Sequence, residues 1–190
     1  MRVEETDAVL MERVAGGDIF AYTNVVKRHS ATVFRAAYRM LHDREEAEDV
    51  AQESFARLWQ NAPRWCGTGG GVPAWLHRVC INLCFDRLRK RGRISTEDVP
   101  ELADPAISAE RMIERGQVQE RLESCMATLS DTHRAAVVLT YYEEHPNRIA
   151  AEIMGMDIKA FESLLYRARQ RLGVLLAADG VGARDLELLA

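Results

Sequence analysis

Residues 147–172 read NRIAAEIMGMDIKAFESLLYRARQRL, and the interpretation of the fold starts from this stretch. Residues 147–154 suit a short helix that ends at Gly155, and Asp157 suits the N-cap of a longer helix. Apolar residues recur at helical spacing along the second segment: Ile158, Phe161, Leu165, Ala168 and Leu172. Two helices joined by a tight glycine turn form the helix-turn-helix pattern of DNA-binding domains. A plain helical hairpin with exposed arginines is the alternative.

Polar side chains occupy the outward side of the second helix of this motif. A recognition helix presents polar groups to base edges in the major groove and cations to phosphates. The candidates for these contacts are Lys159, Glu162, Ser163, Tyr166 and Arg167. The segment 163–171 carries three arginines and no acid, which suits an anionic ligand.

Residues 44–61 predict a clearly amphipathic helix. One side of this helix is largely apolar and holds Ala47, Val50, Ala51, Ser54, Phe55 and Leu58. The opposite side is polar and holds Glu48, Asp49, Gln52, Glu53 and Arg57. We therefore expect the first side to face a core and the second to face solvent or a partner.

Other helix ends are predicted from capping residues. Asp18 suits the N-cap of a helix that begins at Ile19, and Ser130 suits the N-cap of another. Pro73 suits the first turn of a helix over 73–91, and Gly92 suits its C-terminal cap.

The chain divides best within residues 92–107, which hold glycine, serine and two prolines but few large apolar side chains. A further helix is predicted from about Ser108. No strand-like alternation of useful length appears. The predicted fold class is therefore all-α, with two small helical domains joined by a flexible acidic linker. The expected limits are 1–92 for the first domain, 93–116 for the linker, 117–178 for the second domain and 179–190 for a C-terminal tail.

Charge is distributed in blocks along the 190 residues, although the formal net charge is only −4. Residues 75–94 sum to +5, residues 96–123 sum to −5, and a second basic segment follows at 163–171. Such blocks are either solvated helix faces or surfaces for anionic ligands joined by an acidic connector. A free-standing DNA-binding domain is usually basic as a whole, so this chain alone is expected to bind DNA poorly.

Several classes of protein are disfavoured. No run approaches 18 apolar residues and the N-terminus lacks a signal peptide's apolar core, so a cytoplasmic protein without membrane insertion is expected. No nucleophile–base pair or phosphate loop appears, and we do not expect an enzyme. His77, Cys80 and Cys84 share one helix face, and Cys66 is conceivable as a fourth zinc ligand, but buried free cysteines are the commoner case. We predict no metal and no cofactor.

Three strings, in this order and spacing, resemble sigma factors of the extracytoplasmic-function (ECF) type, the minimal bacterial initiation factors. Residues 47–55 with Leu58 and Trp59 resemble region 2.2 of that family. Residues 75–82, with Asp86 and the basic run 87–91, resemble regions 2.3 and 2.4. Residues 129–172 resemble region 4.

The resemblance implies that the helix over 44–61 docks on the clamp helices of the polymerase β′ subunit. The residues that match this role are Glu48, Asp49, Gln52 and Glu53. The β subunit is the other expected contact on core polymerase. A solvated helix face is the alternative interpretation of these four residues.

The resemblance further implies that the first domain melts and reads the −10 promoter element, with a flipped base held by the loop Asn61–Val72. Asn82 and Asp86 lie one turn apart, and Asn82 is the candidate for a base edge. The cations expected at phosphates are Arg87, Arg89, Lys90 and Arg91. A buried structural amide is the alternative for Asn82. Trp75 is expected in the core, and Trp65 suits either the core or base stacking.

In the same way, residues 159–167 are implied to read the −35 element. Glu162 departs from the basic residue often found there, and a carboxylate can accept from a cytosine amino group. Ala150 stands where a larger aliphatic residue is common, so the first helix of the motif is expected to pack slightly differently.

The leading hypothesis is a promoter-specificity factor that binds core RNA polymerase, directs it to −35/−10 promoter DNA and assists melting. An anti-sigma factor is a further partner implied by the resemblance. The alternatives are a sigma-like mimic that only titrates an anti-sigma factor, and an ordinary helix-turn-helix repressor. The acidic linker suits either a mimic of nucleic acid in a polymerase channel or a solvated tether.

Overall fold

The computed structural model describes residues 5–67, 69–94 and 121–178. These ranges hold α-helices and no strand, which confirms the all-α prediction. The helices are α1 (Asp7–Ala15), α2 (Ile19–Leu41), α3 (Arg44–Asn61), α4 (Gly71–Ile94), α5 (over 121–127), α6 (Asp131–Val137), α7 (Asn147–Met154) and α8 (Ile158–Ala178). A 3-10 turn at Ala62–Arg64 follows α3, and a π-helical turn at Val138–Tyr142 follows α6. The predicted linker from residue 95 onward, the helix start near Ser108 and the tail 179–190 lie outside the described residues.

Helix starts are determined by local capping chemistry, as the sequence predicts. The Asp18 carboxylate accepts two backbone N–H bonds at the start of α2, at 2.8 and 3.1 Å. The Asp43 carboxylate accepts one such bond at the start of α3, at 3.0 Å, and the Ser130 hydroxyl accepts one at the start of α6, at 3.4 Å. A side-chain cap typically stabilises a helix by about 1 kcal/mol. The predicted N-caps Asp18 and Ser130 are therefore confirmed.

The N-terminal domain consists of α1 to α4, with α2 packed against the other three helices. The face of α3 that was predicted to be buried is buried along its whole length. It meets α2 and the inner side of α4, where Leu76, Cys80, Ile81 and Cys84 are buried. The helical periodicity of the sequence thus identifies the core side of this domain correctly.

The predicted end of α4 is wrong. The helix begins at Gly71, so Pro73 does lie in its first turn, but it continues past Gly92 to Ile94. A glycine inside a helix costs only about 1 kcal/mol relative to alanine. The Arg91 side chain just before it bonds the corner between α2 and α3, which holds the last turn in place. Tertiary contacts therefore override the local stop signal.

The C-terminal domain packs α6 and α7 against α8. Phe161 of α8 is fully buried, and so is Ala168, two turns further along the same face. Leu139 of the π-helical turn is fully buried as well. Gly155 ends α7 with φ 65° in the left-handed region, and the Asp157 carboxylate accepts from the Lys159 N–H at 2.9 Å. The predicted helix–turn–helix is confirmed, with α7 over the predicted 147–154.

The two domains contact each other directly. Helix α7 packs on α4, while α6 and the π-helical turn reach α2. Among the described residues, none of the helices is long and apolar enough to cross a membrane.

Candidate nucleic-acid and protein interface

The acidic face of α3, formed by Glu48, Asp49, Gln52 and Glu53, is exposed along its length. Two of its carboxylates pair within the helix, Glu48 with Arg44 at 3.0 Å and Glu53 with Arg57 at 2.8 Å. All four of these side chains are at least 44% exposed, and such surface pairs are worth only a few tenths of a kcal/mol. Cationic side chains of a partner can therefore replace Arg44 and Arg57 at a small cost in free energy.

The acidic face adjoins the basic end of α4, which the sequence interpretation treated as a separate surface. A groove runs between α3 and α4, and Asp49 and Gln52 line it together with Arg87 and Lys90. Arg87 Nη1 lies 3.6 Å from Asp49 Oδ2 across this groove. The residues predicted for polymerase and those predicted for DNA phosphates thus share one continuous surface.

Arg91 makes structural contacts while its side chain remains 41% exposed. Its guanidinium lies 3.1 Å from Asp43 and 3.0 Å from Glu46, and it donates to the Leu41 carbonyl at 3.2 Å. These contacts join the end of α4 to the turn between α2 and α3. Sequence reasoning placed Arg91 with the phosphate ligands, because a run of basic residues does not reveal which of them meets an acid elsewhere in the chain.

The outward side of α4 carries the remaining residues of the predicted −10 surface. Asn82, Asp86, Arg89 and Lys90 are exposed, and Arg89 donates to Asp86 at 3.1 Å. The exposure of Asn82 is inconsistent with a buried structural amide, so that alternative is wrong. Asn82 is available to a ligand on the same face as Asp86.

The loop Asn61–Val72, here the Gly-rich loop, is shorter than predicted because the 3-10 turn and the start of α4 occupy its ends. Trp65 and Trp75 are both half-buried and meet edge to face, with ring centroids 6.1 Å apart. Gly70 adopts φ 87°, in the region that favours glycine. The tryptophan pair therefore forms one wall of this loop, and both rings take part in packing.

The predicted recognition surface on α8 is assembled as expected. Its five members are all exposed and line one shallow depression: Lys159, Glu162, Ser163, Tyr166 and Arg167. The Tyr166 side chain is 63% exposed, which is high for an aromatic ring. Arg167 Nε donates to the Ser163 carbonyl one turn earlier at 3.2 Å.

A polar cluster between the domains was missed by sequence reasoning. This interdomain network joins Arg39 and His77 of the first domain to Glu143 and His145 of the second. His77 Nδ1 and His145 Nε2 are 2.7 Å apart, and Arg39 Nη1 lies 3.7 Å from Glu143 Oε1. The Arg39 guanidinium also sits 4.0 Å from the centre of the Tyr142 ring. His77, considered in the sequence only as a metal ligand, instead contacts the other domain.

Burial controls the protonation of this network. Desolvation, with a smaller effect of the neighbouring His145, lowers the pKa of His77 to about 3. Desolvation also lowers the pKa of His145 and raises the pKa of Glu143. His77 Nε2 lies 3.3 Å from Glu143 Oε2 but outside hydrogen-bonding geometry. At neutral pH His77 is therefore a neutral imidazole, beside a Glu143 carboxyl group whose burial disfavours the charged form.

We expect the protein to lose stability on mild acidification because of this imidazole. Below about pH 6.5 an unfolded chain binds a proton that folded His77 excludes, so the free energy of unfolding falls as the pH drops toward 3. One such proton contributes at most about 1.4 kcal/mol per pH unit. His145, whose pKa is also lowered, acts in the same direction. Glu143, whose pKa is raised above 4.5, takes up its proton first in the folded chain and so opposes the trend between pH 4.5 and its raised pKa.

Urea unfolding at several pH values between 7.5 and 5.5 measures this slope. His77→Gln should flatten it, because glutamine does not titrate. The groups that face His77 are His29, Glu143 and His145, and they stay in place in this variant. Equal slopes for the variant and the natural chain would contradict the neutral state of His77.

A second interdomain contact is made by Arg134 of α6, whose side chain is 7% exposed. Its guanidinium donates to the carbonyls of Met126, Ala127 and Leu129 at the end of α5, at 3.0, 2.7 and 3.0 Å. It also donates to the Met40 carbonyl near the end of α2 at 2.7 Å. A cation at two helix C-termini satisfies carbonyls that have no partner within their helices. The only sequence signal for this role of Arg134 is its position four residues after the N-cap Ser130.

The two cysteines that share this helix face with His77 are also used in packing. Cys80 and Cys84 are fully buried, and Cys80 Sγ lies 3.7 Å from the Val33 carbonyl. A hydrogen bond with Cys84, together with burial, raises the pKa of Cys80 well above its ordinary value. A thiol in this state is protonated and unreactive at neutral pH.

Comparisons with known proteins place both domains in one family. The family model described as Sigma-70 region 2 matches residues 25–94, and the one described as Sigma-70, region 4 matches residues 119–172. Together they match more than half of the chain.

Curated relatives carry the same family name. The ECF RNA polymerase sigma factor SigM of Mycobacterium tuberculosis is 30% identical over 187 residues, which cover 95% of this chain and 90% of that protein. SigE of Mycolicibacterium smegmatis is 32% identical over 161 residues; the match covers 83% of this chain but 62% of that relative's length. The RNA polymerase sigma factor CnrH of Cupriavidus metallidurans is 30% identical over 94% of this chain and 98% of its own.

Solved structures share the fold. The structure of CnrH in complex with the cytosolic domain of CnrY matches with a TM-score of 0.70 at 25% identity, covering 92% of this chain and 99% of that one. The sigma factor RpoE of Bartonella quintana, solved with the anti-sigma factor NepR, matches with a TM-score of 0.67 at 23% identity, covering 83% and 98%. At 23% identity, the similarity to RpoE concerns the fold alone.

Proposed function

Because the chain belongs to the family of ECF RNA polymerase sigma factors, which are initiation factors and not enzymes, we propose that it binds core RNA polymerase and directs it to specific promoters. The observation that carries this proposal is that one chain exposes three surfaces together. They are the acidic face of α3, the outward side of α4 and the recognition surface on α8.

The acidic face is proposed to dock on the β′ clamp helices. Its four members are exposed, and the carboxylates among them have only weak internal partners. Charge complementarity of this kind orients a partner and speeds its approach, while apolar contacts nearby contribute much of the affinity. The β subunit is proposed to provide a second contact.

The N-terminal domain is proposed to melt and read the −10 element. A base leaves the stack at a cost of a few kcal/mol and is held by a pocket that restores its contacts. The Gly-rich loop is the proposed pocket, and Asn82 on the adjoining face of α4 is proposed to read a base edge. Arg87, Arg89 and Lys90 supply positive charge for the phosphates of the displaced strand.

The C-terminal domain is proposed to read the −35 element through α8 in the major groove. Arg167 and Lys159 bring positive charge, and Ser163 and Tyr166 add hydroxyl groups between them. Glu162 is an acceptor on this otherwise cationic surface. A carboxylate pairs with a cytosine amino group and repels phosphates, so it favours a cytosine in the −35 element.

An anti-sigma factor is proposed as the inhibitory partner in the cell. CnrH, a relative with 98% of its length matched, has been solved with the cytosolic domain of another protein, CnrY. The alternative function is a mimic that only titrates an anti-sigma factor. Such a mimic needs neither the exposed Asn82 nor the recognition surface, so their presence favours the initiation factor.

Transcription in vitro tests the proposal. The purified protein is added to sigma-free bacterial core polymerase on fragmented genomic DNA, and RNA 5′ ends are sequenced. Starts that cluster behind a shared two-part upstream motif would support an initiation factor and reveal its promoter. No initiation despite binding to an anti-sigma factor would support the mimic, and tight binding to duplex DNA alone would support a repressor.

We expect Asn82→Ala to slow promoter opening about fivefold or more, because a base-edge contact is worth about 1–3 kcal/mol. Core binding should be unchanged, since Asn82 lies outside the acidic face. Permanganate reactivity of unpaired thymines in the promoter measures opening, and a titration with labelled core measures binding. Asn24→Ala, an exposed asparagine of α2, is the matched control. An equal fall in core binding would mean that Asn82 has a structural role.

We expect Arg167→Ala to weaken initiation at a −35-dependent promoter by about 1–3 kcal/mol, the range for loss of a base contact. The same promoter with a scrambled −35 element serves as the control, because there the natural chain and the variant should initiate alike. Unchanged activity on the intact promoter would exclude a base contact for Arg167.

A further inference from the structure

Histidines are concentrated where the two domains meet. Of the five in the chain, His77 and His145 face each other across this boundary, with Nδ1 and Nε2 2.7 Å apart. A third, His42, ends α2 and lies close enough to Arg134 of α6 to be affected by its charge. Histidine is the side chain whose charge ordinarily changes near neutral pH. The boundary is therefore a place where protons can act on the contact between the domains.

The bond between His77 and His145 limits how many protons this pair can hold. One imidazole nitrogen must accept for the other to donate, and a protonated imidazole has two donors and no acceptor. If both rings were protonated, two N–H groups would point at each other across 2.7 Å. The bonded pair therefore holds at most one extra proton, whereas two separated histidines can hold two.

Burial disfavours even the first of these protons. The His77 side chain is 4% exposed, and desolvation, with smaller contributions from His145 and His29, lowers its pKa to about 3. Desolvation also lowers the pKa of His145. His29 of α2 is itself bonded to Asp7 of α1 at 2.9 Å. The network thus favours neutral imidazoles at the boundary.

The charged groups around the pair act in both directions. Glu143 Oε2 lies 3.3 Å from His77 Nε2, where a carboxylate would favour a proton on the ring, but burial raises the pKa of Glu143 and so disfavours its charged form. Arg39 has Nη1 3.7 Å from Glu143 Oε1, and Arg35 acts on the same carboxyl group from α2. Two guanidinium groups therefore oppose a further cation here, and one carboxyl group favours it.

His42 repeats this pattern at the contact made by Arg134. Its Nε2 is buried without a hydrogen-bond partner among the described residues. Desolvation, together with the charge of Arg134, lowers the pKa of His42, while Glu123 acts in the opposite direction. A proton on His42 would place a second cation near Arg134, so the docked chain disfavours this proton as well.

From these contacts we propose that the joint between the two domains is sensitive to pH, and that mild acidification parts the domains while each stays folded. The separated histidines take up protons below their ordinary pKa of about 6.5, and the bonded pair excludes at least one of these protons. Docking is then disfavoured by up to about tenfold for each pH unit below this value. Each domain has a buried core of its own, so parting leaves both cores intact. This inference concerns the free chain and is independent of the proposed function.

Hydrogen exchange of the full chain at pH 7.5, 6.5 and 5.5 tests the proposal. Protection factors divide out the pH dependence of the exchange chemistry itself. They are compared for residues 70–76, where α4 meets α7, and for residues 50–58 in α3. Protection of residues 70–76 should fall by about tenfold or more from pH 7.5 to 5.5. It should stay below that of residues 50–58 at every pH, because the domains part before they unfold.

The double variant His77→Gln/His145→Gln removes the titrating pair, while glutamine can still hydrogen-bond across the boundary. Over the same pH range its loss of protection should be about tenfold smaller than that of the natural chain. His133→Gln replaces a half-buried histidine of α6 outside these contacts and is the matched control. It should behave as the natural chain does.

Two outcomes with the natural chain would overturn the proposal. One is a protection factor at residues 70–76 that is independent of pH. The other is protection that rises on acidification, which would mean that His77 and Glu143 share a proton in the docked chain. Equal losses in the double variant and the natural chain would overturn the assignment to His77 and His145.

A second measurement needs no variant, so it stands even where the double variant does not fold. The ring Hε1 signals of His77 and His145 are followed by NMR in the natural chain. They should shift together over the pH range in which protection is lost, while far-UV circular dichroism shows that the helices persist. Signals that titrate independently of each other, with no loss of protection, would contradict the coupling.

Discussion

Replacement of Arg134 by methionine is expected to lower the free energy of unfolding by about 3 kcal/mol or more. Hydrogen bonds from a charged donor contribute about 1.5–3 kcal/mol each, and carbonyls left buried without a partner add a cost of their own. Arg134 donates to four carbonyls, three of them at or just after the end of α5 and the fourth near the end of α2. Methionine fills much of the same volume, so the loss reports the hydrogen bonds rather than a cavity.

Urea unfolding followed by far-UV circular dichroism measures this effect. Arg148→Met is the matched control, since Arg148 is 73% exposed and, within the part of the chain that the structure describes, forms an ion pair only with Glu152 one turn away. A change of less than about 0.5 kcal/mol is expected for it. A similarly small change in Arg134→Met would show that the four carbonyls find other partners, and that the contact between the domains depends on other groups.

Phe161→Ala is expected to destabilise the C-terminal domain by about 3–5 kcal/mol, the range for truncating a buried phenylalanine. Phe161 is fully buried in the first turn of α8, the helix that packs against α6 and α7. Loss of this anchor should unfold α8 and abolish −35-dependent initiation, while the core of the N-terminal domain keeps its packing.

Tyr166→Ala separates stability from function on the same helix. Tyr166 is 63% exposed, so its loss should change the stability by less than about 0.5 kcal/mol while it weakens −35-dependent initiation.

Hydrogen exchange resolved along the chain measures the two domains separately. Slow exchange throughout α8 in Phe161→Ala would contradict the role of Phe161 as the anchor of this helix.

At the candidate site, the sequence does not predict which basic residue contacts an acid far away in the chain. The sequence correctly predicts that the acidic face and the recognition surface are exposed, because a 3.6-residue period separates the two sides of one helix. It does not predict that Arg91, a candidate for a phosphate contact, pairs with Asp43 and Glu46. The separation between these partners and Arg91 is more than 40 residues, and no local pattern encodes that contact.

The sequence by itself determines the helices, their caps and the helix–turn–helix of this protein. These features depend on groups a few residues apart, such as the Asp18 cap and the glycine turn at Gly155, so elementary chemistry of the chain is sufficient. The end of α4 is the exception, since a stop signal at Gly92 is weaker than the contacts that hold the last turn.

Only the tertiary structure decides how the two domains meet. His77 contacts His145 across 68 residues of chain, and Arg134 bonds the Met40 carbonyl across 94. Each partner looks ordinary in its own segment, because a histidine or arginine on a helix is as compatible with solvent as with burial. Their pairing depends on the packing of α7 on α4, and that packing is a property of the folded chain as a whole.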